Sequence, residues 1–507
     1  MSLLPVRRTA AALGVVVLAS TLSAAPAYAD TTTAPAVTAR AAVLPAAARA
    51  ANARIRKVLP VRVGATKPLG RNRAVQVIDA ASGAGIYSTR GSVPMRGASV
   101  TKLATAVASL QLLGTTTRFP TTVVTGRTDR EVVLVGGGDP LLTSAQLRNL
   151  ARDTAAALLS TLPAPAPVVT PSATPTATAT PSGSLSASPS VSASASASAS
   201  ATATPSAPPT TSPSPAPPAA PPTAPIAVNV TVAVDDTLYP APTRAPGWTT
   251  DYVPYVVTPV RSLVRDLRNS NDTSVDAAAY FAAALQVSLR SLVSARTDLV
   301  AAVRYSGRLA APLGARELAR FQGNTSGAAL RWMLLVSDND VAEMLFRNNA
   351  IAAKRTPSWA SARANAQLTL ARLGVDIRGW ALVDGSGVSR NDRLTARGLI
   401  TMLRIAASPA HPALAPLRSM LPVAGVSGTL KARNGRFTTK PTSCARGKVF
   451  AKTGTLRDTI GLAGYARGSD GRLKAFAVLV NDPSGRYSKL TVRRAVDAIA
   501  ASVTGCY

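Results

Sequence analysis

The 507-residue chain carries 56 Lys+Arg against 24 Asp+Glu, a formal charge of +32, with one His and two Cys. That length gives ample core for several domains and excludes a miniprotein held by disulfides. His411, Cys444 and Cys506 cannot furnish a usual protein zinc site, and with glutamate only at 131, 317 and 343 a general base other than His or Glu is expected. The charge excess is mostly Arg in a chain rich in Ala, Pro and Gly. It favours long-range attraction to an anionic polymer or surface. Without a run of five basic residues, and with only 4% aromatics to stack bases, nucleic acid is an unsuitable partner.

In chain order, Met1–Arg8 is a short basic segment, followed by an apolar stretch from about Ala10 to Leu22 and then Ala27-Tyr28-Ala29. This is the pattern of an export signal spanning 1–29, with an uncleaved anchor as the alternative. The apolar run is short for a membrane span. Residues 70–90 read as a hairpin around a Gly-rich turn, and 99–113 as an amphipathic helix. From 163 to 225 the chain is almost wholly Ala, Ser, Thr and Pro, and no charge occurs between Asp153 and Asp235. Such a composition cannot offset its ordering entropy, so a disordered spacer or tolerated insertion is expected, with an end-to-end reach of roughly 45 Å if flexible. Beyond it, 228–234 alternates as a strand and 276–286, 326–336, 340–351 and 360–374 read as helices. Residues 448–465 and 473–481 read as strands joined by Ser469-Asp470-Gly471, and 489–503 as a closing helix. Antiparallel strands bracketed by helices predict a mixed α/β (α+β) fold. Export would permit a Cys444–Cys506 disulfide, which would stabilise by about 3–4 kcal/mol on the chain-entropy model. Two unpaired cysteines remain the alternative.

Three motifs carry chemistry. Ser99-Val-Thr-Lys102 places a hydroxyl and an amine on one helical face. A serine alcohol needs a neighbour to take its proton, and a buried lysine with a depressed pKa can do so. Ser337-Asp338-Asn339 either aims a hydroxyl and an amide into one cleft or caps a helix. Lys452-Thr453-Gly454-Thr455 reads as a strand, with Lys452 and Gly454 on one face. There Gly454 would admit a substrate backbone, and the Thr455 N–H would join that of Ser99 as an oxyanion hole. Lys452 would add a positive charge suited to a carboxylate.

Ser-x-x-Lys, Ser-x-Asn and Lys-Thr-Gly in that order form the signature of penicillin-recognising serine acyltransferases. The chain resembles the D-alanyl-D-alanine carboxypeptidase/endopeptidase family of low-molecular-mass, class C penicillin-binding proteins. Further matches are GGGDPLLT (136–143), APGW (245–248), AEMLFR (342–347), DGSGVSR (384–390) and GVSGTL (425–430). The resemblance implies a transpeptidase-like domain over 45–114 and 310–507, split by inserted domain(s) over 115–162 and 226–309. The Ala/Ser/Thr/Pro segment inside the insert departs from the family pattern.

By the same resemblance Ser99 is the acylated nucleophile, Lys102 the base and Ser337 the relay of the leaving-group proton. Asn339 is expected to bind substrate backbone. Lys452, Thr453 and Thr455 are expected to hold the terminal carboxylate, with Gly454 between them. Arg390 would meet a diaminopimelate carboxylate and Asp235 would face that side chain's amino end. No cofactor and no metal are implied. The implied partners are peptidoglycan stem peptides, β-lactam antibiotics as covalent inhibitors and anionic cell-wall polymers, outside the cytoplasm. A β-lactamase-like hydrolase and a catalytically silent wall-binding protein are the competing readings. Glu343 is the one glutamate after Asn339, and its place within a helix argues against a glutamate-driven deacylation.

Overall fold

The computed structural model describes residues 44–65, 67–161, 226–294 and 299–507. The expected export signal (1–29) and the segment 163–225 lie outside the described residues. Helix α1 (Ala46–Ala65) leads into a hairpin of β1 (Arg73–Asp79) and β2 (Gly85–Thr89). A 3-10 turn (Ala98–Thr101) then opens directly into α2 (Lys102–Leu112). Next come β3 (Thr121–Thr125), β4 (Glu131–Val135), α3 (Ser144–Leu159), β5 (Ile226–Asp235), α4 (Thr273–Val293), β6 (Leu299–Arg308) and β7 (Glu317–Phe321). Helices α5 (Ser326–Val336), α6 (Asn339–Ala352), α7 (Trp359–Arg372), α8 (Ala396–Ala406) and the single turn α9 (Leu417–Met420) follow. Last are β8 (Val449–Thr455), β9 (Thr459–Arg467), β10 (Leu473–Asn481) and α10 (Lys489–Val503).

The strands make two five-stranded sheets. The first runs β2-β1-β10-β9-β8, every neighbouring pair antiparallel. Chain segments from both ends meet in it, Arg73 opposite Val480 and Asp79 opposite Lys474. Asp79 is fully buried and accepts from Lys474 at 2.9 Å and Arg472 at 2.8 Å, so an ion cluster locks that junction. Strands β9 and β10 are buried along nearly their whole length. One face packs on α1 and α10 through Leu59, Val478 and Val496, and the other on α8 through Leu399 and Leu403. Coverage on both sides explains why these strands read as continuous apolar runs without alternation.

The second sheet runs β6-β5-β4-β3-β7. Its β4–β5 and β5–β6 pairs are parallel, whereas β3 is antiparallel to both neighbours. Parallel neighbours require crossover connections. Helices α3 and α4 lie within those connections and bury Leu147, Leu150, Phe281 and Leu285 against Val230 and Val232. The fold is mixed α/β, as the sequence predicts.

Three sequence readings change in detail. Residues 448–465 are two strands, because Leu456–Asp458 reverses the chain with a Leu456 N–H to Thr459 C=O bond of 2.9 Å. No Gly or Pro lies within Leu456–Asp458, so only the polar pair Arg457-Asp458 marks that turn. The helix expected at 276–286 extends over Thr273–Val293, capped by Asp272, whose carboxylate accepts from the Val275 N–H at 3.1 Å. The helix expected at 99–113 begins as a 3-10 turn, and α2 proper starts at Lys102. Cys444 and Cys506 form a disulfide with Cα atoms 6.1 Å apart, tying the end of α10 to the loop before β8.

Candidate active site

The turn that carries Ser99 is set by its neighbours. Ala98 adopts a left-handed φ of +46°, an outlier for a residue with a Cβ, and the turn tightens straight into α2. Ser99 and Lys102 therefore sit one helical turn apart, with Lys102 Nζ 3.0 Å from Ser99 Oγ. Lys102 also donates to Asn339 Oδ1 at 2.6 Å and to the Ser386 carbonyl at 2.8 Å, which uses all three ammonium hydrogens. Its side chain is wholly buried, and that burial pushes its pKa down to about 8 against the opposing pull of Glu343 and Asp384. A lysine so placed can take the proton of the adjacent alcohol near neutral pH.

Helices α5 and α6 are joined by Ser337 and Asp338 alone. Ser337 ends α5 in a left-handed conformation, φ 68° and ψ 36°. Asp338 caps α6, accepting from the Val341 N–H at 3.0 Å. Both sequence readings of this motif thus hold at different residues: Asp338 is the cap, while Ser337 lines the cleft and Asn339 reaches Lys102. Ser337 Oγ accepts from Lys452 Nζ at 2.7 Å. The other end of the Asn339 amide donates to the Val256 carbonyl at 2.6 Å, so the loop between β5 and α4 helps orient it.

Strand β8 is an edge strand. Its outer edge pairs at Ala451, whose N–H donates to the Pro422 carbonyl at 3.0 Å. By alternation the N–H groups of Thr453 and Thr455 face that same edge, where an extended peptide can add as a further strand. Thr453 and Thr455 also line a cavity of about 380 Å³ together with Ser99 and Ser337. Gly454 serves a different purpose from the one expected. A Cβ there would lie 2.5 Å from the Gly97 carbonyl oxygen and 3.2 Å from the Val100 N. Glycine is required so that the turn carrying Ser99 can pack on β8. Lys452 also differs, being wholly buried with its ammonium on Ser337 Oγ and, at 2.9 Å, on the Thr453 carbonyl. Burial, with the nearby Lys102 charge, holds its pKa well below the usual lysine range.

The loop 384–389 behind Lys102 is organised by carboxylates. Glu343 accepts from the N–H groups of Gly385 at 2.8 Å and Ser386 at 2.9 Å. Asp384 accepts from the N–H groups of Gly387 and Ser389 and from Trp248 Nε1, each at 2.7 Å. A Cβ on Gly387 would overlap the Ala98 carbonyl, so this loop also braces the turn of Ser99.

Two expected substrate contacts are engaged within the protein. Arg390 makes a two-pronged ion pair with Asp458 at 2.7 and 2.5 Å, and Asp458 also pairs with Arg96 at 3.0 Å. Asp235, expected to face the amino end of the diaminopimelate side chain, is also engaged within the protein. Its carboxylate accepts from Thr237 N–H at 2.9 Å, Thr237 Oγ1 at 2.6 Å and Ala311 N–H at 2.8 Å, closing the end of β5. His411 lines a separate cavity beside Arg404. Sequence reasoning missed Thr429, Asn434, Arg436 and Arg493, which complete the lining of the Ser99 cavity. Thr429 lies in the GVSGTL match and its hydroxyl is 2.8 Å from that of Thr453, a usable signal. The arginines carried none.

A family model described as the D-Ala-D-Ala carboxypeptidase 3 (S13) family matches residues 61–157 and 266–503. The chain belongs to the S13 family. It is accordingly an enzyme, a serine-type D-Ala-D-Ala carboxypeptidase, in the low-molecular-mass class C group of penicillin-binding proteins. Among S13 relatives, a carboxypeptidase of Mycobacterium tuberculosis is 31% identical over 478 residues, covering 92% of this chain and 88% of that protein. The carboxypeptidase DacB of Mycolicibacterium smegmatis is 30% identical over 446 residues, 85% and 80% of the two chains. The solved penicillin binding protein 4 of Haemophilus influenzae shares the S13 chain's fold, with TM-score 0.62 at 19% identity, covering 89% of this chain and 98% of that one.

Proposed function

We propose that this chain is an exported DD-peptidase that acts on peptidoglycan stem peptides through an acyl-enzyme on Ser99. The observation that carries the reading is the buried amine of Lys102, 3.0 Å from Ser99 Oγ and with its pKa brought to about 8. Ser99 Oγ attacks the carbonyl of the penultimate D-Ala while its proton passes to Lys102. The oxyanion is held by the N–H groups of Ser99 and Thr455. The C–N bond breaks as the leaving amine takes a proton relayed through Ser337, and water then hydrolyses the ester. Asn339 and the free edge of β8 align the peptide backbone, and Thr453 and Thr455 receive the terminal carboxylate. Penicillin acylates the same serine, and anionic wall polymers attract the basic surface.

The same site serves D-Ala-D-Ala cleavage and D-Ala–diaminopimelate crosslink cleavage, with Arg390 as the candidate contact for the diaminopimelate carboxylate. The division into a split catalytic domain (45–114 and 310–507) and inserted domain(s) (115–162 and 226–309) is part of this proposal. So is export, which rests on the signal pattern of residues 1–29. Glu343 speaks against a β-lactamase reading. Both its oxygens are spent on backbone N–H groups, and burial raises its pKa well above the ordinary range.

The test is mass analysis after incubation with penicillin, a pentapeptide and a crosslinked muropeptide. An adduct on Ser99 and loss of D-Ala are expected, both abolished in Ser99→Ala. Folded wild-type protein with no adduct at Ser99 rejects the mechanism.

A further inference from the structure

The cavity in front of Ser99 needs a cation for a substrate carboxylate, and Lys452 is poorly placed to be it. Its ammonium is wholly buried, does not line the cavity, and is spent on Ser337 Oγ and the Thr453 carbonyl. Two arginines do line the cavity. Arg436 is neutralised by a buried two-pronged pair with Asp497, at 2.7 and 2.5 Å. That pair occupies both oxygens of the carboxylate one helical turn beyond Arg493 on α10. Arg493 is left without an ion pair among the described residues. Its one hydrogen bond there runs from Nε to Thr455 Oγ1, at 3.3 Å. Among the described residues its two Nη groups have no hydrogen-bond partner, and they are not sealed from solvent. A half-buried guanidinium whose fork is open beside Thr455 matches the planar, two-oxygen geometry of a carboxylate.

We propose that Arg493, from the C-terminal helix, is the substrate-binding residue that pairs with the free α-carboxylate of the residue leaving from the scissile bond. This rests on the DD-peptidase reading and assigns the carboxylate recognition that a carboxypeptidase needs to one side chain of α10, so that losing Arg493 weakens peptides ending in a carboxylate more than the same peptides capped as amides. Thr453 and Thr455 supply hydrogen bonds, and Arg493 supplies the charge. Lys452 instead holds Ser337 in place. Partial burial and the neighbouring Arg436 push the Arg493 pKa down against the opposing pull of Asp497, so an anion beside the guanidinium is favoured.

The test uses the full chain and two probes, acetyl-D-Ala-D-Ala and its C-terminal carboxamide. Binding is read by calorimetry on Ser99→Ala, with and without Arg493→Ala or Arg493→Lys. Turnover is read on the Ser99 protein with the same Arg493 changes. Arg493→Ala is expected to weaken the carboxylate probe about 30-fold and to leave the carboxamide within about threefold, with Arg493→Lys recovering part of the loss. Equal losses on both probes, or none on either, overturn the clamp. Carboxylate selectivity in binding with no turnover by the Ser99 protein keeps the clamp and rejects the DD-peptidase reading. Turnover with unchanged selectivity does the reverse.

Discussion

Glu343 accepts the backbone N–H of Ser386 at 2.9 Å, and the carbonyl of that same Ser386 accepts from Lys102 at 2.8 Å. The glutamate thereby sets the height of the amine that faces Ser99 without touching it. It acts as a positioning residue. Glu343→Gln turns an amide NH2 toward a backbone donor and leaves a buried N–H unpaired, which costs about 1–3 kcal/mol. A lower Tm and Ser99 acylation slowed about tenfold are expected, since small misplacements of reacting groups are costly. An unchanged acylation rate in a destabilised variant would make the role structural only.

Lys102 must be neutral to accept the serine proton, and its pKa lies at about 8. Its protonated fraction grows as pH falls through that value. The second-order rate of penicillin acylation should therefore rise about tenfold per pH unit below pH 8 and level off above it. A profile flat from pH 6 to 9 would contradict Lys102 as the base.

Arg390 is held by Asp458, with side chains 26% and 27% exposed, so the pair is partly screened and contributes about 1 kcal/mol or less. Asp458→Asn should lower Tm slightly. It should also release the guanidinium and strengthen, by a few-fold in KM, the preference for stem peptides with a carboxylate on the third residue. Matched peptides bearing diaminopimelate or lysine measure this directly, and no change in their ratio removes Arg390 from the substrate site.

The disulfide closes a loop across a sequence separation of 62 and anchors α10 after Val503. Replacing Cys444 and Cys506 with Ser should destabilise the chain by about 4 kcal/mol in denaturant unfolding. Because α10 also carries Arg493, selectivity for carboxylate-ended peptides should fall while penicillin still reaches Ser99.

Legibility followed the range of each interaction. The hairpin at 70–90, helix 326–336, strand 473–481 and helix 489–503 were readable because their patterns are local and complete. The start of α3 is set just as locally, since Thr143 and Gln146 form a capping box. Helix α1 carries Pro60 in its interior, which argues against a helix on local grounds. The purpose of Gly454 was misread because the close neighbour it accommodates, the turn of Ser99, is remote in sequence.

From the amino-acid order alone came the catalytic vocabulary: a serine three residues before a lysine, Ser-x-Asn, and Lys-Thr-Gly on a strand. Helical and strand periodicity make such relations visible over a few residues. Folding alone decided which atoms meet. Asn339 reaches Lys102 from 237 residues away, and Lys452 turns to Ser337 across 115 residues without itself lining the cavity. Among the described residues Arg493 has no ion pair, because both oxygens of Asp497 are taken by Arg436. Burial and competition among distant side chains set each group's charge and availability, and neither is a property of any one segment.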